Sequence, residues 1–220
     1  VLVINGRIKE IEVKNLYAKC HFHIIKKDSA SKQRMEGNTE WYKIVDEVEI
    51  TNMLTGKSMS VAVTSLQLFN ENGKVNDVVI LPPFPECCGS VDTIPSLFLW
   101  FPLLGTESFG VNFIFHSKRW YPVEKRNNIM LPENVPSKCE KGAHNEEILH
   151  EMMATLHRYY AYEGNAYSLN RDMCIVNFHS DKEDEVTTKF YTDLQDMWKA
   201  VVPSWKVIPT EEGKKAMADA

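Results

Sequence analysis

LFLWFPLLGTESFGVNFIFHSKRWYPVEKRNNIML, residues 97 to 131, is the stretch from which the fold is best read. It holds two apolar runs, Leu97 to Leu104 and Val111 to Phe115, on either side of a short Gly105-to-Gly110 turn. That order predicts a β-hairpin. The second run empties into a polar segment, His116 to Asn128, where Lys118, Arg119, Lys125 and Arg126 crowd around Trp120 and Tyr121. Guanidinium groups grip phosphate or carboxylate oxygens in a two-pronged fork. The basic loop is therefore the candidate anion contact, with Lys118, Arg119, Trp120 and Tyr121 as its ligand-binding residues.

Upstream of this stretch the pattern is mostly period two. Strands are predicted at Arg7 to Val13, Leu16 to Lys26, Trp41 to Thr51, Ser58 to Phe69 and Val75 to Leu81. Asn5-Gly6, the polar run Lys27 to Thr39, Leu54-Thr55-Gly56 and Glu71-Asn72-Gly73 read as the connections, so the sheet should be largely antiparallel. Pro82, Pro83 and Pro85 lead into a loop at Glu86 to Gly89. Downstream, Pro132 and Pro136 frame a polar linker ending at Gly142, after which Asn145 is read as the cap of a helix reaching about Gly164. Arg171 to Phe178 is ambiguous, and a second amphipathic helix is predicted over Glu185 to Val202. The whole reads as α+β, with a β-rich domain over 1–135 and a helical region over 136–220.

Composition narrows the function classes. With 220 residues, 44% of them hydrophobic, the chain can bury a core without disulfide staples. A net charge of −5 with both signs mixed argues against a nucleic-acid clamp, which would need a basic surplus. Five irregularly spaced cysteines and no secretory leader or long apolar span point to the reducing cytoplasm, with no membrane partner. The chain opens at Val1 inside an apolar pattern, which suggests a piece of a longer protein.

Other constellations argue for little chemistry. His144, Glu147, His150, Glu151 and His157 share a predicted helix, but His150 and His157 are seven apart, whereas zinc-protease helices place two His four apart. No metal site is expected there. Cys87, Cys88, Cys139 and Cys174 lack a Cys-x-x-Cys pair, and Cys20 and His21 should point to opposite faces of a strand, so reduced structural thiols are expected. A hydrolase site would have to be assembled from distant residues such as Asp92, Glu107 and His116. The interleaved aromatics, Trp100, Phe101, Phe109, Phe113 and Phe115, suit core packing better than base stacking.

The order Phe101-Pro-Leu-Leu-Gly105, then Phe113-Ile-Phe-His116, then Glu124-Lys-Arg126 before Ile129-Met-Leu131 resembles a segment of sacsin-like proteins. The resemblance spans about 35 residues strongly and the flanking sheet weakly. In that family the segment belongs to the middle, or transducer, region that follows an ATP-binding domain of the GHKL type, the fold of the ninety-kilodalton heat-shock chaperone and DNA gyrase. There an arginine reaches the γ-phosphate of ATP in the preceding domain. The resemblance puts Arg126 in that role, with Lys125 as the alternative. It implies ATP and Mg for the full-length protein, an N-terminal ATP-binding domain of the same chain as partner, and no cofactor held by this fragment. The Glu-x-x-x-Asn helix, Asp-x-Gly-x-Gly turn and glycine-rich lid of the GHKL pocket are not in this sequence. The rival reading from the residues alone is a protein- or peptide-binding module that uses the hairpin and basic loop with no nucleotide.

Overall fold

The computed structural model describes residues 1–5, 7–37, 40–81, 94–132, 136–163, 185–210 and 213–216. Five strands come first, β1 (Glu10–Asn15), β2 (Cys20–Arg34), β3 (Trp41–Asn52), β4 (Ser58–Phe69) and β5 (Val75–Ile80), each antiparallel to the next. The turns between them form for a local reason. Asn15, Asn52 and Asn70 each accept hydrogen bonds on the side-chain oxygen from backbone N–H groups two to four residues on.

Beyond β5 lie β6 (Leu97–Leu99), β7 (Phe101–Pro102) and β8 (Ile114–Ser117), and the eight-stranded sheet has the order β1-β2-β3-β4-β5-β8-β6-β7. Helix α1 (Pro136–Arg158) runs into a π-helical turn at Tyr159–Glu163, and α2 (Glu185–Val201) follows. A separate hairpin, β9 (Lys206–Thr210) with β10 (Gly213–Ala216), comes last. The fold is α+β, mostly antiparallel sheet and then helices.

Register assigns the two faces of the sheet, because cross-strand partners point the same way. Lys43, Leu66, Val79, Phe115 and Leu97 form one row. The last four are fully buried in a core with Ile148, Leu149, Met152 and Leu156 of α1, Leu194 and Trp198 of α2, and Trp205. Each such side chain contributes about 1.5–3 kcal/mol. This core is shared by residues on both sides of position 135. The adjacent row, Arg34, Tyr42, Gln67, Val78, His116 and Phe98, faces the other way. There Val78 and Phe98 join Ile4 and Ile80 in a smaller cluster.

Three expectations are corrected. The two apolar runs around Gly105 do not form a hairpin, since β8 pairs antiparallel with β5 and parallel with β6. Leu103, Phe109, Val111 and Phe113 are apolar because they leave the sheet and fill the main core. The polar run after Lys26 is not a turn. It extends β2 to Arg34, with register shifts between Lys26 and Ser31, held by pairing with β3 while its side chains stay exposed. Helix α1 begins at Pro136, nine residues before the predicted cap, and proline suits a first turn where no N–H is needed. Cys87, Cys88, Cys174, Asp92, the Pro82-to-Gly89 loop, the 171–178 segment and Gly164 lie outside the described residues.

Candidate anion-binding site

The basic loop leaves β8 and returns on itself. Met130 N–H donates to the Tyr121 carbonyl (2.9 Å), Val123 N–H to Asn128 (2.9 Å) and Arg126 N–H to Val123 (2.9 Å). Asn145, fully buried in α1, ties the base of the loop. Its oxygen accepts from Tyr121 N–H (2.9 Å), and its NH2 donates to the carbonyls of Tyr121 and Met130 (2.8 Å each). The residue read as a helix cap is thus a mid-helix clamp, and α1 locks the loop that carries the candidate residues. At the tip Arg126 is exposed, and its φ of 52° is left-handed. A non-glycine residue pays conformational energy of about 1 kcal/mol or more to sit there.

The other predicted site residues scatter. Arg119 turns inward onto the buried Asp77 carboxylate and onto Glu151 of α1 (2.7 Å), pinning the strand edge to the helix. Burial opposes its charge, but the bonds to Asp77 and Glu151 more than offset this and raise its pKa. Trp120 is 3% exposed and belongs to the main core, so it offers no face to a ligand. Tyr121 stacks edge-on against His144 with ring centroids 5.3 Å apart. Lys125 is exposed beside Arg126. Lys118 lies over the Trp100 ring, 4.7 Å from its centroid, and its pKa is lowered by burial and by the charge of Lys74.

Lys118 and Arg126 line one cavity on the second face of the sheet, of about 1000 Å³. Arg7, Lys26 and Lys74 line it too, with Gln67, Leu99, Trp100 and Phe101, and among the described residues no Asp or Glu does. Lys26 is neutralised from behind by the buried Asp46 (3.2 Å). Arg7, Lys74 and Arg126 form no ion pair with any described residue. Sequence reasoning missed Arg7, Lys26 and Lys74, which reach the cavity from separate strands and turns. The only signal for two of them is a shared pattern, a cation directly after Asn-Gly at Arg7 and Lys74.

His116 lies on this same face, fully buried beside Trp100, with ring centroids 5.6 Å apart. Its Nδ1 donates to the Phe98 carbonyl (3.1 Å), and its Nε2 has no partner among the described residues. Burial pushes its pKa down to about 4, so the ring is neutral at pH 7. Glu107 instead accepts from Gly105 N–H (2.7 Å) in the connecting turn, so no hydrolytic pair forms with His116. On α1, Glu151 serves Arg119, His157 accepts from Trp205 Nε1 (3.0 Å), and His150 and Glu147 face solvent. Among the described residues no cluster is placed to hold a metal ion, and no helix is long and apolar enough to cross a membrane.

Fold and site together define an α+β protein with a clamped arginine loop at the edge of a cationic cavity. No family model, curated protein or solved structure matches the chain.

Proposed function

We propose that this chain is the middle, or transducer, region of a sacsin-like, GHKL-type ATP-binding protein working in the cytoplasm. It is non-catalytic by itself. Arg126 meets the γ-phosphate of ATP, with its Mg, held by a preceding domain, and the sheet and helices pass the nucleotide state to attached segments. The observation that carries this reading is the presentation of Arg126. A position where glycine would be unstrained holds an exposed arginine with no ion-pair partner among the described residues, on a loop locked by Asn145. Strain retained at an exposed charged residue is a mark of a functional site. A positioned arginine stabilises developing phosphoryl charge, which is worth about 10³-fold or more in rate.

The test is Arg126→Ala in the longer protein. ATP turnover should fall by about 10³-fold, while the melting temperature of the present chain stays within about 2 °C because an exposed loop side chain carries little stability. Unchanged turnover would remove the assignment. A second reading, recognition of a peptide carboxylate, draws support from Phe101 and Leu104, which stand 60% and 66% exposed near the basic loop. It expects a carboxylate-ended peptide to bind the isolated chain and to be displaced by salt.

A further inference from the structure

We propose that the cavity on the second face of the sheet is itself a binding site for a short phosphate chain, two or more linked phosphates, and that it fills without help from any other domain. Arg7, Lys74 and Arg126 converge there with no described carboxylate partner, and Lys118 stands beside them. Like charges gathered in a concavity repel one another, and a folded chain keeps them together when an anion neutralises them. A single carboxylate could answer one of these cations. A chain of phosphates presents several oxyanions at spacings that separate cations can share, each in a charge-assisted hydrogen bond. The cavity, half open to solvent, has a volume of about 1000 Å³, the size of a small-molecule site.

Backbone strain marks the same place. Among the described residues three non-glycine positions have left-handed backbone, Lys19, Trp100 and Arg126, and two of them line this cavity. Trp100, at φ 65°, holds its ring against Lys118 and is 39% exposed, so its fluorescence should report occupancy. Buried Gln67, 4% exposed, donates its NH2 to Ser65 (2.8 Å) and adds a fixed polar group to the wall. The site does not rest on Arg126 acting in trans, and the two ideas can fail separately.

The experiment is a titration of the present chain with inorganic tripolyphosphate, followed by tryptophan fluorescence and calorimetry, with ATP and AMP as separate arms. One-to-one saturable binding that weakens with salt is expected. Arg7→Ala and Lys74→Ala should each weaken it about tenfold, the size of one charge-assisted contact. Lys57→Ala makes the same charge change on an exposed turn away from the cavity and should leave binding unchanged. Binding of ATP tighter than tripolyphosphate would identify a nucleotide as the source, with its base on Trp100 or Phe101, and equal or weaker binding would identify a free phosphate chain. Absence of saturable binding, or equal losses in all three variants, would overturn the proposal and leave the reading of Arg126 intact.

Discussion

Replacing Asn145 tests the clamp that joins helix α1 to the basic loop. Its side chain makes three hydrogen bonds to the backbone at the base of the basic loop, and the residue is fully buried. Asn145→Ala strands one N–H and two carbonyls without these partners. At about 0.5–1.5 kcal/mol net per bond, the cost is about 2–4 kcal/mol. For a chain of this size that corresponds to a fall of about 5–15 °C in melting temperature. Asn145→Asp separates the clamp from the helix-cap role read from sequence. At a helix cap, aspartate is as good as asparagine, and the exchange would be near neutral. At the clamp, a carboxylate still accepts from Tyr121 N–H but turns an anion toward the carbonyls of Tyr121 and Met130, which now lack a donor. The exchange should therefore cost at least as much as alanine. Urea unfolding followed by far-ultraviolet circular dichroism gives both numbers. A change under about 0.5 kcal/mol for Asn145→Asp would refute the clamp.

Three further expectations follow from packing and charge. Gly142→Ala should destabilise by about 1–3 kcal/mol, reversing the usual gain of about 1 kcal/mol for that exchange inside a helix, because the new Cβ would lie 2.4 Å from the Leu131 backbone; a higher melting temperature would contradict this. Asp77→Asn breaks a buried ion pair whose arginine partner is partly solvated, so the loss should be about 2–3 kcal/mol, short of the full buried-pair cost; equilibrium denaturation measures it, and a neutral result would mean Glu151 alone holds Arg119. For His116, a folded pKa of about 4 against an ordinary 6.5 means that the unfolded chain binds the proton first. Its contribution is complete above pH 6.5 and is lost as pH falls toward 4, by about 3 kcal/mol relative to His116→Gln, in which nothing titrates there. Parallel pH–stability curves for the two proteins would exclude this assignment.

How far the fold is legible depends on whether a residue's reason is local. Strand β4 spans Ser58–Phe69 as the alternation predicts, and β3 ends one residue past the expected boundary, because Asn and Gly punctuate both sharply. The second half of β2 is invisible to pattern reading. Its side chains are exposed, so no alternation of burial exists to be encoded, and β3 alone supplies its partner groups. The parallel pairing of Leu97 with Phe115 could not be read either, since two apolar runs flanking a short turn look alike whether the turn closes a hairpin or folds into the core. Asn145 reads as a cap in the sequence because asparagine's small amide suits both a cap and a clamp, and only the loop lying against α1 decides between them.

The site divides along the same line. Lys118, Arg119, Lys125 and Arg126 are adjacent in sequence and were found together, yet adjacency misleads. In the turn that leaves β8, Lys118 goes to the cavity face and Arg119 to Asp77 and Glu151 on the helix face. Arg119 is structural, and the cavity is completed instead by Arg7, Lys26 and Lys74, which no local motif groups with the loop. Successive residues hold the cavity wall on one face and helix α1 on the other, and Asn145 of the same helix ties the base of the loop whose tip bears Arg126. On the proposal that an anion is drawn to Lys118 and Arg126, it would act on backbone that α1 grips at two points, and charge at the cavity would have a short, packed route to the helical layer.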